Sequence, residues 1–425
     1  MSPAGNKKIL LLEDSVLLAS TLKREIERRA IYQVDGVHTF EDAKTRLQQT
    51  GHGYSLALLD LTLPDASQEE IIELFRAAEI PCIVMTNKFD EAQRAYVFSQ
   101  GVIDFILKDG PVSLEYLFFL LDRLHRNQGV KIVLVDDSRS TREHMKRLLL
   151  KHNFHVLDAA NGQDALDLLT NHPDARLVVV DYNMPGMDGY ELTKRIRHTW
   201  SKDEMGILGI SSQSAHALSA RFLKVGANDF LGKPFLEEEF ACRVIRNVEN
   251  LEHIHALEEA ATRDFLTGLY NRRFFREAGT QLFAALRDGK HKHLCAAMLD
   301  VDFFKKVNDT YGHDAGDAVL REMGTLLKRL FTKPDIAARL GGEEFCLLLA
   351  GRDQTEIASL LEGVRQRIEA TVITYNGMTI PITASIGAST QKTKHLDELI
   401  NQADAALYRA KHNGRNRVVF HDAPD

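Results

Sequence analysis

The chain has 425 residues, and at roughly 150 residues per domain that is about three domains, more chain than one core needs. Hydrophobic residues make up 44% and charged residues 27%, with 27 Gly and only 10 Pro, a composition that excludes long disordered or fibrous stretches. Sixty acidic against 53 basic side chains leave a net charge of -7, so there is no global basic field to attract DNA.

Cys82, Cys242, Cys295 and Cys346 stand far apart, with no CxxC pair or zinc-ligand spacing, and read as reduced thiols of a cytoplasmic protein. The apolar run Ile9 to Leu12 stops at Glu13 and Asp14, too short for a signal peptide, and Tyr116 to Leu121 falls well below a membrane span. No membrane insertion is expected.

In chain order, the first feature is a repeat. Lys8-Ile-Leu-Leu-Leu-Glu-Asp-Ser15 recurs as Lys131-Ile-Val-Leu-Val-Asp-Asp-Ser138. Each copy continues through a helical stretch to a second apolar strand ending in one aspartate, Asp60 or Asp181. Alternating strands and helices predict doubly wound parallel sheets, whose ligands bind beyond the carboxyl ends of the strands. Glu13, Asp14 and Asp60 should therefore converge, as should Asp136, Asp137 and Asp181. Three clustered carboxylates repel unless a cation joins them, and hard oxygen ligands suit Mg²⁺. A third strand end supplies a hydroxyl, Thr86 or Ser211, and a fourth an amine, Lys108 or Lys233, 22 residues later in both copies.

Acid pair, lone Asp, hydroxyl and Lys in this order resemble response-regulator receiver domains. The resemblance implies that Asp60 and Asp181 accept a phosphoryl group, that each acid cluster binds one Mg²⁺, and that hydroxyl and Lys sense the phosphate. Phe105 and Phe230, three residues before each Lys, match the family's aromatic switch position. The second copy keeps the family pattern, Tyr-Asn-Met-Pro-Gly-Met-Asp-Gly189 after Asp181 and Pro234 after Lys233. The first departs from it: Leu-Thr-Leu-Pro-Asp-Ala-Ser-Gln68 lacks the glycines that permit positive φ, and Asp109 follows Lys108.

From Leu236 to Ala261 there is no Pro or Gly, and Phe240, Val244, Asn247, Leu251, Ile254, Glu258 and Ala261 form a heptad-like stripe. Such a helix either pairs with its twin, with Asn247 fixing register, or packs on its own domain.

The third segment carries an apolar strand, Leu294 to Leu299, running into Asp300-Val-Asp302-Phe-Phe-Lys305. Two short strands follow, joined by Gly341-Gly342-Glu343-Glu344, which reads as a hairpin presenting its acids beside Asp300. A helix ending at Gly414 brings Lys411 and Arg415. Carboxylates for divalent metals and cations for phosphates make a nucleotide-chemistry set.

Gly-Gly-Glu-Glu-Phe345 resembles the signature of GGDEF-domain diguanylate cyclases, and Asp264-Phe-Leu-Thr-Gly-Leu-Tyr-Asn-Arg-Arg273 matches that family's opening motif. The chain is thus similar to two-receiver GGDEF response regulators. The implied fold is α/β: two doubly wound five-stranded parallel-sheet receivers, then an α+β ferredoxin-like palm of the nucleotide-cyclase kind. The expected bounds are 6–127 and 129–250 for the receivers, 236–262 for a helical linker continuing the last receiver helix, and 263–421 for the cyclase domain.

By the resemblance, Asp300, Glu343 and the Val301 carbonyl hold two Mg²⁺ or Mn²⁺ ions per cyclase site, and Glu344 assists removal of the 3′-hydroxyl proton. Backbone N–H groups around Phe303, Phe304 and Lys305 cradle phosphates, whose charge Lys305, Lys411 and Arg415 neutralise. Asn308 and Asp317 read guanine, so GTP is the expected substrate. A homodimer brings two sites together, and a histidine kinase or phosphotransfer protein is the expected activator. The family's inhibitory Arg-x-x-Asp site is degenerate, Thr332-Lys-Pro-Asp335 standing in its place. The rival expectation is a silent GGDEF module that binds GTP or cyclic di-GMP and serves as a phospho-signalling scaffold.

Overall fold

The computed structural model describes residues 7–29, 31–50, 53–87, 90–212, 216–288, 293–390 and 392–421; residue 6, the expected start of the first receiver, lies outside them. The chain divides into two units, Met1–Ile254 and His255–Asp425.

The first unit holds two sheets. Strands β1 (Lys7–Leu12), β2 (Tyr32–Val37), β3 (Leu56–Asp60), β4 (Cys82–Thr86) and β5 (Asp104–Leu107) alternate with α1 (Val16–Arg28), α2 (Phe40–Thr50), α3 (Gln68–Ala77), α4 (Glu91–Ser99) and α5 (Pro111–Arg126). All pairs are parallel, in the order β2-β1-β3-β4-β5. Strand β1 is a continuous apolar run because both faces are covered: Ile9 and Leu11 enter one core layer, Leu10 and Leu12 the other. The second copy repeats this with β6 (Lys131–Val135), β7 (His155–Ala159), β8 (Ala175–Asp181), β9 (Gly206–Ser211) and β10 (Asp229–Gly232), and α6 (Arg139–Lys151), α7 (Gly162–Asn171), α8 (Gly189–Thr199), α9 (His216–Val225) and α10 (Glu237–Thr262). Its order, β10-β9-β8-β6-β7, is again all parallel.

Ser15 and Ser138, which follow the acid pairs, cap α1 and α6 by accepting from Leu18 N–H and Thr141 N–H. Each acid pair is thereby fixed at a strand-to-helix turn. The loops after Asp60 and Asp181 differ for two physical reasons. Gly186 has φ +77°, whereas Asp65 at the matching place is not left-handed and accepts from Phe40 N–H. Gly189 is needed for space rather than for φ, since a Cβ there would lie 2.4 Å from the Asp181 carbonyl oxygen.

Of the heptad-like stripe, Phe240, Val244, Asn247 and Leu251 are buried in the first unit, and Phe240 and Val244 belong to the second receiver's core. That half of α10 packs on its own domain. Asn247 donates to the Arg243 carbonyl, a bond within the helix.

The second unit contains α11 (Arg272–Arg287), β11 (Leu294–Val301), α12 (Phe304–Tyr311), α13 (His313–Leu330), β12 (Ile336–Gly341), β13 (Glu344–Ala350), α14 (Gln354–Glu369), the hairpin β14 (Ile373–Tyr375) and β15 (Met378–Ile380), β16 (Ala384–Ser389), α15 (Leu396–His412) and β17 (Val418–Phe420). The main sheet runs β12-β13-β11-β16-β17, antiparallel except for β16 with β17. This is a ferredoxin-like palm with one added edge strand. Helices α13 and α14 cover one face, α11 and α15 the other.

Candidate functional site

In the first receiver Glu13 and Asp60 are each 1% exposed, and Asp14 is exposed at the rim. Ligand oxygens of Glu13, Asp14 and Asp60 lie within 4.8 Å of one another, the one such group among the described residues. Lys108 Nζ lies 2.6 Å from Glu13 Oε2 and 2.5 Å from Asp60 Oδ2, while Thr62 donates through both its N–H and its hydroxyl to Asp60 Oδ1. Burial raises the Glu13 carboxyl above the usual range, against the pull of Lys108. Thr86 is buried at the end of β4.

The second receiver places Lys233 Nζ 2.9 Å from Asp136 Oδ2 and 2.6 Å from Asp181 Oδ1. Burial pushes the Asp181 carboxyl up; burial also works against the Lys233 ammonium, but its bonds to Asp181 and Asp136 outweigh this and hold it above the usual lysine value. Asp137 is exposed, Ser211 is buried, and Lys233-Pro234 is a cis bond. The first receiver thus brings Glu13, Asp14 and Asp60 together at the carboxyl ends of their strands, whereas in the second Lys233 joins Asp136 to Asp181 and Asp137 stands exposed beside them.

Between the receivers, Arg94 of α4 pairs with Glu238, and the buried Arg123 of α5 reaches Glu252 at 2.6 Å, so both grip α10. Phe105 lines a cavity of about 320 Å³ there, with Asp104, Tyr116, His152 and Cys242. Phe230 packs instead on Phe222.

In the palm, Asp300 is 6% exposed at the end of β11, in register with Glu344 across β13. The two-residue turn between β12 and β13 holds Gly342, at φ +52°, and the half-buried Glu343. Lys411 Nζ sits 2.8 Å from Asp300 Oδ2. Burial raises the Asp300 carboxyl, the Lys411 bond and charge pull it down, and the charges of Glu343 and Glu344 push it up again. A buried aspartate repelled by a half-buried and an exposed glutamate is a hard-oxygen donor set that fits Mg²⁺ or Mn²⁺.

Phe303 leads into α12 at φ +57°, and its exposed ring lies 4.4 Å beneath the Arg415 guanidinium. Phe304 is buried in the core, Val301 is buried, and Lys305 is exposed in the first turn of α12. Asn308 faces α13, where a Cβ at Gly316 would lie 1.9 Å from its Oδ1; only glycine lets this side chain sit there. Asp317 is half-buried one residue later, 3.8 Å from Arg321. Thr332 precedes a cis Lys333-Pro334 bond, and Asp335 is buried.

Two further residues hold this site together: Arg339, which the motifs above do not single out, and Asp302, which by the resemblance supports the shell without a ligand bond of its own. Arg339 joins the opening motif to the signature turn, Nη1 lying 3.1 Å from Asp264 Oδ1 while Nε and Nη2 donate to the Gly342 carbonyl at 2.9 and 2.8 Å. Its place three residues before Gly342 was a usable signal. Asp302 accepts three hydrogen bonds from distant chain segments, for which the sequence holds no local signal.

Residues 261–417 match the family described as "Diguanylate cyclase, GGDEF domain", and residues 9–116 and 132–245 match "Response regulator receiver domain". The response regulator PleD of Caulobacter vibrioides is 25% identical over 442 residues, covering 93% of this chain and 96% of PleD. YhcK of Bacillus subtilis is 41% identical over 160 residues, 37% of this chain and 45% of that protein. Diguanylate cyclase A of Treponema denticola is 37% identical over 190 residues, 43% of this chain; the chain thus spans about half the length of these last two relatives. Among solved structures, a two-component system response regulator/GGDEF domain protein is 40% identical with a TM-score of 0.52, covering 58% of this chain and all of that one. The chain therefore belongs to the response-regulator receiver family and, through its GGDEF domain, to the diguanylate cyclases, with the PleD-type arrangement of two receivers ahead of one cyclase domain.

Proposed function

We propose that the chain condenses two GTP molecules into cyclic di-GMP and two pyrophosphates, and that phosphorylation of Asp60, Asp181 or both controls the population of productive homodimers. The observation that carries this reading is the desolvated Asp300 carboxylate, set opposite Glu344 and beside Lys411 at the signature hairpin. Each bond-forming step joins the 3′-oxygen of one GTP to the α-phosphorus of the other. The α–β phosphoanhydride bond breaks, pyrophosphate leaves, and Glu344 takes the hydroxyl proton.

Asp300, Glu343 and the Val301 carbonyl would hold two Mg²⁺ or Mn²⁺ ions, which supply Lewis acidity toward the phosphates. Lys305, Lys411 and Arg415 neutralise the triphosphate. Asn308 and Asp317 select guanine, because a carboxylate accepts from N1–H and N2–H, a pattern adenine lacks. Each cyclase domain binds one GTP, so two must face each other. A histidine kinase or phosphotransfer protein would supply the phosphoryl groups, with one Mg²⁺ per receiver held by the acid clusters. Among the described residues no helix is long and apolar enough to cross a membrane, and the cytoplasm, where GTP is available, is the proposed location. Domain bounds of 6–127, 129–250, 236–262 and 263–421 belong to the same proposal.

Turnover of GTP by Glu343→Gln tests the reading. Loss of cyclic di-GMP formation by at least about a hundredfold, with GTP binding and folding retained, is expected. Absence of product from the folded wild-type dimer would instead favour the silent binding module.

A further inference from the structure

Asp302 lies two residues after Asp300 and is 4% exposed, so its carboxylate needs partners. It has three. Thr383 Oγ1, just before β16, donates to Oδ2 at 2.7 Å and Ser385 Oγ, within it, to Oδ1 at 2.6 Å; Asn416 N–H donates to Oδ2 at 3.0 Å. That last bond ties the end of β11 to the turn after α15. In this turn Arg415 and Asn416 are both left-handed, at φ +60° and +45°. Two successive non-glycine residues in this region are strained, so the surrounding bonds must hold them. Asn416 is held on its other side by Arg365, which donates to its Oδ1, and by Glu369, which accepts from its Nδ2.

The consequence falls on Arg415. Its guanidinium stands over Phe303, the residue after Asp302, so one carboxylate fixes both the backbone that carries the cation and the backbone beneath it. We propose that Asp302 is a positioning residue that presents Arg415 to the substrate triphosphate, acting through the Asn416 N–H rather than through metal or substrate. This rests on the cyclase reading for its substrate, and on the hydrogen bonds alone for its mechanism.

The test is a double-mutant cycle in the full-length chain with Asp302→Leu and Arg415→Ala. Affinity for the α,β-methylene analogue of GTP with Mg²⁺ is measured by calorimetry, beside steady-state turnover of GTP. Leucine keeps the approximate shape of the side chain and removes every acceptor, the one for the Asn416 N–H included. Asp302→Leu alone should weaken analogue binding and raise KM about tenfold, with kcat within about threefold. In that background Arg415→Ala should cost less than about twofold further. Full multiplication of the two effects, or a loss in kcat with analogue affinity unchanged, would overturn the proposal. Ser385→Ala, which leaves the Asn416 bond in place, should change analogue affinity by less than about threefold; a tenfold loss there would mark a general packing role and also overturn it. Because the analogue is bound and not turned over, an inactive wild type would refute the cyclase reading while leaving the Asp302 cycle measurable.

Discussion

Asp335 and Arg352 form a closed bidentate pair: Nη1 lies 2.8 Å from Oδ1 and Nη2 lies 2.8 Å from Oδ2, and the Ala350 N–H donates to Oδ1 as well. Asp335, the acidic group of the stretch proposed as a degenerate inhibitory motif, is thus already taken by a cation of the same domain, and Thr332 offers no guanidinium where that motif carries arginine. Added cyclic di-GMP should leave the initial rate within about twofold. Nanomolar inhibition that disappears in Asp335→Ala would contradict this.

The same pair has a stability consequence. Arg352→Ala leaves the buried Asp335 carboxylate with the Ala350 N–H alone, and roughly 2 kcal/mol of stability should be lost, less than for a fully buried pair because Arg352 is partly exposed. Urea denaturation of the full chain, followed through the cyclase transition, measures it. An unchanged midpoint would mean that water replaces the guanidinium without cost.

Metal binding in the palm should depend on pH in a direction set by Asp300. Its carboxyl is raised, by burial first, then by Glu343 and Glu344 against Lys411. A raised carboxyl keeps its proton to higher pH, so protons compete with the metal above the range near 3.9 where an ordinary aspartate titrates. Mn²⁺ affinity measured by calorimetry should weaken as pH falls toward that range from neutrality, and excess Mg²⁺ should restore turnover on the acid side. An acid limb insensitive to Mg²⁺ would contradict the assignment.

His152 should make the first unit acid-sensitive. Burial pushes its pKa down to about 4, helped by the neighbouring Lys151, from about 6.5 in an unfolded chain. A depressed imidazole is neutral in the fold while the unfolded chain takes the proton, so the contribution is complete above pH 6.5 and is lost as pH falls toward 4. The whole effect is on the order of 3 kcal/mol. His152→Leu should flatten the decline in urea stability across that window; an identical decline in the variant would place the acid sensitivity elsewhere.

Much of this architecture can be read from residue order. Continuous apolar runs ending in acids mark strands buried on both faces, and the repeat supplies the acid-lined strand ends twice. The signature hairpin follows from its glycines. The α10 stripe is ambiguous in sequence, because Phe240, Val244 and Leu251 look the same whether they face a twin helix or their own sheet; the packing of Phe240 and Val244 on the second receiver decides it for the first half of the helix. Gly189 and Gly316 are visible as glycines, but that they leave room for the Asp181 carbonyl and for Asn308 is a property of the folded chain. Asp302 is the clearest case: its donors Thr383, Ser385 and Asn416 are brought to it only by the folding of β16 and of the turn after α15.

The grip of Arg94 and Arg123 on α10 gives the first receiver a direct hold on the helix that leaves the second. Gating of the proposed cyclase by aspartyl phosphorylation is measured by turnover of the purified chain with GTP and Mg²⁺, with and without beryllofluoride as the phosphoryl mimic, in wild type, Asp60→Asn and Asp181→Asn. The mimic should raise cyclic di-GMP formation at least about tenfold, an increase lost when the gating aspartate is replaced. Equal turnover with and without the mimic in all three proteins would contradict it.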